Sequence, residues 1–201
     1  MTILGLNILS DTKQMRLPFT LDVATNIESD EWSNLMTGLD AVTHNVIGKA
    51  LDIYCRKHEF EKRADVTGAV VEVSLVFTND DNIKRLNNDY RQKDNPTNVL
   101  SFPDTNLNAA TLKEASITDE PLILGDIVFA LETVGQEARS QNKKFENHVI
   151  HLLVHGLLHL VGYDHIEQNE ADIMEALEIS ILSEFDIDNP YISSDNKRGI
   201  S

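Results

Sequence analysis

Residues 69–77 read A-V-V-E-V-S-L-V-F, and this segment decides the fold. β-Branched residues dominate it, and large apolar side chains alternate with smaller or charged ones, which is the period of a strand that buries one face. The alternating apolar positions are Val71, Val73, Leu75 and Phe77, with Glu72 and Ser74 between them. We therefore predict a strand that pairs centrally in a sheet.

Predicted strands and helices flank this segment on both sides. Further strands are predicted at residues 20–24, 98–102 and 125–131. Helical spacing of apolar residues is found from Ser29-Asp30 to Tyr54, at 83–90 after the cap residues 79–81, within 126–141, at 145–161 and at 170–185. Residues 104–121 carry no such period and are predicted to form a variable loop. This order indicates an α+β fold with a small mixed sheet of about four strands, flanked by helices.

The last predicted helix lies in a strongly acidic part of the chain. Its apolar positions are Ile173, Ala176, Leu177, Ile179 and Leu182. Residues 167–186 also contain seven acidic side chains and no Lys or Arg. This excess indicates a solvated helix face rather than a site.

Length and composition predict one domain over residues 1–201, with a core at about 20–188 between a loose amino-terminal extension and a loose carboxyl-terminal tail. The first residues lack the charged start and apolar run of an export signal, and the apolar segment 149–161 is shorter than the about 20 residues that cross a bilayer. The lone Cys55 cannot form an intramolecular disulfide and is expected to be a buried apolar residue. We therefore expect a cytoplasmic protein without membrane contact.

Three histidines at the end of the helix predicted at 145–161 have the spacing of a metal site. Residues 155–165 match the pattern H-x-x-x-H-x-x-G-x-x-H. Residues four apart on a helix lie one above the other, so His155 and His159 can reach the same point in space. Gly162 is able to take a positive φ and end the helix, which lets His165 approach from outside it. We predict that the three imidazoles bind one divalent ion per chain, with zinc the expected metal.

Three protein ligands leave the fourth position of a tetrahedral zinc ion open, as in catalytic rather than structural zinc sites. Such an ion lowers the pKa of bound water and polarises a phosphoryl or carbonyl oxygen, so hydrolysis is the expected chemistry. The alternative, core histidines with one hydrogen bond each, explains the spacing and the glycine less well. His151 extends the same stripe, four residues before His155, and His148 lies nearby; both are expected to support the ligands or to pack. Asp164 either accepts a hydrogen bond from a ligand imidazole or caps the turn.

The residue after the first histidine separates two interpretations of this spacing. Zinc peptidases of the metzincin type have glutamate there as the general base, whereas this chain has Gly156. Because a general base contributes about 10²- to 10⁴-fold to the rate, a peptidase without it is disfavoured. Met174 resembles the methionine of the metzincin turn but is expected to be a core residue of its helix.

A second polar segment precedes the strand predicted at 98–102. Arg91 is a candidate phosphate clamp in it, because a guanidinium presents a fork of donors to phosphate oxygens. Lys84, Arg85 and Lys93 enlarge a local positive patch, while Asp80, Asp81, Asp89 and Asp94 are interleaved with them. The formal charge of −16 opposes indiscriminate binding to nucleic acid but is compatible with a local basic cleft.

Taken together, these motifs resemble the YbeY family of bacterial metal-dependent endoribonucleases. The resemblance covers residues from about 65 to about 185. Its motifs are Leu86-Asn87 through Tyr90-Arg91, Pro96 through Pro103, Gly125-Asp126-Ile127 and His155 through His165. The resemblance implies that His155, His159 and His165 are zinc ligands and that Arg91 contacts substrate, with all four residues catalytic.

The resemblance also implies a function. On this resemblance, the protein is expected to be a single-strand-specific endoribonuclease that acts in 3′-end maturation of small-subunit (16S) ribosomal RNA and in ribosome quality control. The partners implied are ribosomal RNA, the small ribosomal subunit with its proteins, and an Era-type GTPase. Two other interpretations stay open, namely a zinc peptidase with another carboxylate as base and a non-catalytic ribosome-binding module with a structural zinc ion.

Overall fold

A computed structural model describes residues 15–60, 66–165 and 167–192 of the chain. In these ranges the chain forms four strands, β1 (Thr20–Ile27), β2 (Val70–Thr78), β3 (Val99–Pro103) and β4 (Leu122–Ala130). The helices in the same ranges are α1 (Asp30–Leu35), α2 (Leu39–Lys57), α3 (Asp80–Arg91), α4 (Ala109–Thr118), α5 (Leu131–Ser140), α6 (Phe145–Leu160) and α7 (Gln168–Ser183). The predictions for residues 1–14 and 193–201 lie outside the described residues.

The four strands form one mixed sheet in the order β1-β2-β4-β3. β1, β2 and β4 run parallel, while β3 pairs antiparallel with β4 at the edge. The central position predicted for the segment 69–77 is confirmed, and its alternating residues Val71, Val73, Leu75 and Phe77 are fully buried. The predicted α+β class and mixed sheet are therefore confirmed.

A glycine in β4 allows the edge strand β3 to approach closely. Gly125 has φ of +131°, and the pairing of β2 with β4 shifts by one residue just before it. A Cβ atom at this position would lie 2.1 Å from the carbonyl oxygen of Phe102. Only glycine satisfies both demands, so this residue fixes where β3 lies.

Helix α6 packs on the larger core beneath the sheet, in contact with α2, α5, α7, β3 and β4. In the same core Trp32 lies edge-on to Phe77 and Phe129, whose rings stack with centroids 4.8 Å apart. The Trp32 indole also donates to the carbonyl of Thr78 at 2.8 Å. Helix α3 covers the other face with a smaller cluster, Ile83, Leu100, Val128 and Ala130. Helix α6 is thereby held against the edge strand that lines the site described below.

Two predicted segments differ from the structure. The helical pattern from residue 29 to residue 54 is two helices, because Gly38 breaks it with φ of +71°. The variable loop predicted at 104–121 contains α4, which begins at a capping box in which Asn108 and Thr111 bond each other's backbone N–H. Local cap chemistry therefore forms a helix where apolar periodicity predicts none.

The buried residues of α7 are Met174, Leu177, Glu178, Ile181 and Leu182. The predicted apolar stripe is therefore confirmed at Leu177 and Leu182 but is wrong at Ile173 and Ala176. Ile173 is 52% exposed, although it was expected in the apolar stripe. The acidic segment is consequently not a uniformly solvated face, since Glu178 lies at 0% exposure in the core. Met174 and Cys55 are buried as predicted.

Among the described residues, no helix is long and apolar enough to cross a bilayer. The longest helix, α2, has 19 residues and carries charged side chains at both ends.

Candidate metal centre and its cavity

The structure brings the three predicted histidines together. His155 and His159 lie four residues apart on α6, with their Nε2 atoms 3.1 Å from each other. His165 follows the helix and turns back toward them, with its ring centroid 5.0 Å from that of His159. One nitrogen from each ring lies within 4.8 Å of the other two. This group is able to hold one metal ion.

The turn that returns His165 depends on Gly162. This glycine has φ of +93°, and a Cβ atom at its position would meet nothing within 4 Å. Its N–H donates to the carbonyl of His159, and the next N–H, from Tyr163, donates to Leu158. The backbone angle rather than a steric contact therefore requires glycine here. The predicted glycine turn is confirmed.

Hydrogen bonds at Nδ1 fix the tautomers of the two helical histidines. His159 Nδ1 lies 3.0 Å from the carbonyl oxygen of Tyr163, which only accepts, so Nδ1 donates. His155 Nδ1 likewise donates to the carboxylate of Glu178, at 2.9 Å from Oε1. Asp164 bonds the N–H of His165 at 2.7 Å, which assigns it the capping role of the two proposed for it.

The donor set fits a cation such as zinc. With both Nδ1 atoms protonated, the Nε2 atoms of His155 and His159 direct lone pairs at each other across 3.1 Å. Two acceptors at this distance repel unless a cation lies between them. Tetrahedral zinc with Zn–N bonds of about 2.0–2.1 Å separates its ligand nitrogens by about 3.3 Å. Burial and the two neighbouring imidazoles also lower the pKa of His159, which favours its neutral, ligating form.

Glu178 is a site residue that the sequence analysis missed. It lies on α7, and both of its carboxylate oxygens accept hydrogen bonds, one from His155 and the other from His151 at 3.1 Å and from the hydroxyl of Tyr191. Burial alone would raise its pKa, but these hydrogen bonds lower the pKa to about 2. A negative charge is therefore held directly behind the histidine triad. The sequence does contain a signal for Glu178. Its position falls at helical spacing between Met174 and Leu182, on the face of α7 that is otherwise apolar and buried.

His148 and His151 support the site, as expected, without joining the triad. His148 Nε2 lies 2.8 Å from Glu137 on α5. Glu137 in turn accepts from the side-chain amide of Asn98, at 3.0 Å, just before β3. Burial opposes ionisation of Glu137, but the bonds from His148 and Asn98 lower its pKa. This chain of contacts ties α5 and α6 to the segment that enters β3.

The triad opens into a cavity of about 560 Å³ between β3, the glycine turn and the end of α3. Its lining residues are Arg91, Thr97, Asn98, Val99, Ser101, Pro103, Asn106, His155, His159, Gly162, Tyr163, Asp164 and His165. Four basic residues were predicted to form a positive patch at this site. Arg91 is part of the cavity lining, whereas Lys84, Arg85 and Lys93 are not. Lys84 pairs instead with Asp94 at 3.3 Å, and Arg85 bonds Asn82.

Arg91 is exposed at the end of α3 and lines the cavity. Within the described ranges its guanidinium has no hydrogen bond or ion pair to another side chain. A guanidinium without a partner, in a cavity that also contains the triad, provides a docking point for an anion.

Gly156 faces away from this cavity and against the sheet. A Cβ atom at its position would lie 2.9 Å from Ile127 Cγ2 and 3.0 Å from the Ser101 hydroxyl. The position that carries the general base in metzincin peptidases has no room here for a side chain. A glutamate at position 156 would therefore disrupt the packing of α6 on β3 and β4.

Known proteins are similar to this chain along most of its length. Residues 31–186 match the family model described as Endoribonuclease YbeY. This chain belongs to the YbeY family. The Endoribonuclease YbeY of Agrobacterium fabrum is 43% identical over 173 residues, which cover 85% of this chain and 95% of that protein. That of Sinorhizobium medicae is 41% identical over 171 residues, with the same two coverages.

A solved structure, the solution structure of TM1509 from Thermotoga maritima, is 23% identical, with a TM-score of 0.48 over 82% of this chain and 89% of that chain. The family model and the two relatives confirm the resemblance to the YbeY family found in the motifs, and the match begins earlier in the chain, at residue 31 rather than near 65. Arg91, the histidine triad and Glu178 all lie inside the matched range, whereas Tyr191 lies just beyond it.

Proposed function

We propose that this chain is a zinc-dependent endoribonuclease that cuts single-stranded RNA. The observation that carries the proposal is the shared cavity, in which Arg91 and the three imidazoles face the same space. Membership of the Endoribonuclease YbeY family supports RNA as the substrate. With three protein ligands, a bound zinc ion would have room to contact a substrate or solvent oxygen.

The chain's own residues have distinct tasks in this proposal. Zinc, held by His155, His159 and His165, supplies Lewis acidity toward a phosphate oxygen when it is bound. Arg91 binds the phosphate and neutralises the negative charge that grows on it in the transition state. Thr97, Asn98 and Ser101 also line the cavity, and their hydroxyl and amide groups would face the RNA backbone in this proposal. The general base is not assigned to any of them.

Two routes of attack on the phosphate remain open. Water attacks in one, and the ribose 2′-hydroxyl next to the scissile bond attacks in the other, which yields a cyclic phosphate. An RNA with a single 2′-deoxy nucleotide at the cut site separates the two routes. Continued cleavage of that substrate would exclude attack by the 2′-hydroxyl, while a cyclic phosphate on the product of the unmodified RNA would exclude the water route.

For the cellular role, we propose 3′-end maturation of 16S ribosomal RNA and ribosome quality control in the cytoplasm. The partners in this role are the small ribosomal subunit with its proteins and an Era-type GTPase. These points rest on the family resemblance in the motifs. Glu178 is buried and therefore cannot itself contact a ribosomal protein.

The two rival functions are supported less well. A peptidase needs a base, and the packing around Gly156 leaves no space for the glutamate that supplies it in metzincins. A structural zinc site usually has a fourth protein ligand. The cluster found among the described residues has three members and opens into the cavity.

The deciding experiment is cleavage of a single-stranded fragment of ribosomal RNA by highly purified protein. We expect cleavage by the wild-type chain, loss of cleavage after chelation and recovery after zinc is returned. His155→Ala and Arg91→Ala should both cut at least about 100-fold more slowly. Equal cutting by the wild type and both variants would point to a contaminating nuclease and overturn the proposal.

A further inference from the structure

Glu178 connects the triad to the carboxyl-terminal end of the described chain. Its side chain is fully buried, and both oxygens are used. Oε1 accepts from His155 Nδ1 at 2.9 Å, while Oε2 accepts from His151 Nε2 at 3.1 Å and from the Tyr191 hydroxyl. Three donors from two other segments thus converge on one carboxylate.

The segment that carries Tyr191 is itself anchored. The Tyr191 ring lies edge-on to His151, with ring centroids 5.8 Å apart and an interplanar angle of 88°. Its N–H donates to the side chain of Asn189 at 2.9 Å. The preceding carbonyl, of Pro190, accepts from the ammonium group of Lys143 at 3.4 Å. These contacts hold the hydroxyl against Glu178 although 42% of the tyrosine is exposed.

We propose that Glu178 and Tyr191 are positioning residues that set the affinity of the histidine triad for zinc. This inference rests on the metal binding in the proposed function. A neutral imidazole offers a lone pair on one nitrogen only, and the carboxylate at Nδ1 of His155 keeps that lone pair on Nε2, which faces His159. The same carboxylate makes the imidazole a stronger base and therefore a stronger ligand.

Tyr191 and His151 act on Glu178 rather than on the triad. Their hydrogen bonds fix the rotation of the carboxylate, so Oε1 is directed at His155. A carboxylate that loses one of these donors is freer to rotate. Its hydrogen bond to His155 is then broken part of the time, and the imidazole is no longer held in one orientation. The metal site consequently extends to the chain segment after α7, about 26 residues beyond the last histidine by their numbers (191 minus 165).

The test is a competition titration of metal-free protein with zinc and a coloured chelator, in the absence of RNA. Glu178→Gln keeps the size of the side chain but not its charge, and removal of such a partner is expected to weaken zinc binding by about 10- to 100-fold. Tyr191→Phe removes one hydroxyl from a half-exposed ring and should weaken binding by a smaller factor, about 3-fold or more. Both variants should keep the helix content and unfold cooperatively.

Glu175→Gln is the matched control. Glu175 lies on the same helix one turn earlier, and no hydrogen bond joins it to the histidines in the described part of the chain. Its replacement should leave zinc affinity within about 2-fold of the wild type. Cobalt provides a spectroscopic readout, because its visible absorption reports ligand geometry. We expect an altered cobalt spectrum for Glu178→Gln and an unchanged one for Glu175→Gln.

A purely structural role for Glu178 predicts a different result, namely lower stability with unchanged zinc affinity and cobalt spectrum. That result in folded Tyr191→Phe and Glu178→Gln proteins would overturn the inference. If Glu178→Gln fails to fold, the zinc affinity of Tyr191→Phe decides alone. A wild-type chain that binds no zinc would instead overturn the metal dependence of the proposed function, so the two failures are distinguishable.

Discussion

Gly156 on α6 packs directly against Ser101 on β3, so that a Cβ atom on the glycine would lie 3.0 Å from the serine hydroxyl. On the same side, Ile127 Cγ2 would be 2.9 Å away. Because β3 lines the cavity and α6 carries two of the histidines, this contact sets the distance between the triad and the opposite wall. The lack of a side chain at residue 156 thus allows the two sides of the site to approach closely.

Gly156→Ala is expected to destabilise the protein. Alanine is a better helix former than glycine by about 1 kcal/mol, but overpacking costs about 1–3 kcal/mol, so the expected net loss is about 1 kcal/mol. The control is Gly135→Ala on α5, where the nearest atom is 3.4 Å away at the flexible end of Arg139. Urea unfolding should show a loss for the first variant and no loss for the second. Greater stability of Gly156→Ala would contradict the close packing.

Gly162→Ala should weaken zinc binding through the backbone alone. Its φ of +93° is unfavourable for alanine, and no atom lies near the added methyl group. We expect the free energy of unfolding to fall by about 1 kcal/mol, because alanine either keeps the unfavourable positive φ or forces the turn into another conformation. The relaxed turn moves His165 and the Tyr163 carbonyl that holds His159. Chelator competition should therefore show weaker zinc binding.

The control for this change is Gly38→Ala. Gly38 also has a positive φ, of +71°, and no atom within 4 Å of a Cβ at its position. It precedes α2 and is not part of the cavity lining. A similar loss of stability with unaltered zinc affinity is expected. If both variants bound zinc as the wild type does, the glycine turn would not position the third histidine.

Arg91 is expected to contribute to catalysis and not to stability, because its exposed guanidinium has no partner in the described parts of the chain. Under the proposed function, Arg91→Ala should lower kcat/KM for RNA by about 10²- to 10³-fold. Arg91→Lys should recover part of the loss, since it restores charge but not the fork of donors. Arg85→Ala on the same helix, whose arginine bonds Asn82, should retain activity. Equal kcat/KM for the Arg91 and Arg85 variants would remove Arg91 from the mechanism.

Much of the fold is predictable because its signals are local. The alternation in β2 and the length of the apolar run in α6 place both elements to within one residue. The start of α3 follows from Asn79, whose side chain accepts from Asn82 N–H. α4 has little apolar periodicity and depends on the reciprocal cap of Asn108 and Thr111, so a search for periodicity misses it.

The triad is predictable for the same reason, whereas its support is not. His155, His159 and His165 lie within eleven residues; helix geometry relates the first two, and the turn at Gly162 brings in the third. Glu178 lies 23 residues from His155 in the chain, and only the packing of α7 on α6 brings the two together. Apolar residues occur all around α7, so the pattern predicts Ile173 and Ala176 in the buried stripe, although both are exposed in the structure. The same pattern treats the acidic side chains of this segment as solvated and does not indicate that Glu178 lies on the buried face.

The last prediction concerns the acid stability of the metal-free protein. The pKa of Glu178 is lowered from 4.5 to about 2 in the folded chain, so the unfolded chain binds a proton first as pH falls. The stabilisation from Glu178 is thus fully present above pH 4.5 and is lost progressively from there down to about pH 2. Between about pH 6 and about pH 3.5 this loss amounts to about 1 kcal/mol.

Glu178→Gln should lack this contribution, since its side chain does not titrate. The wild type and the variant therefore differ in their free energies of unfolding, and this difference should be smaller at about pH 3.5 than at about pH 6. Urea titrations at the two pH values, with a chelator present, measure the change. Glu175→Gln removes an acidic group from the same helix without these hydrogen bonds, and its difference from the wild type should not narrow in this way. A constant difference between the wild type and Glu178→Gln would mean that His151, His155 and Tyr191 do not hold the carboxylate in its charged form.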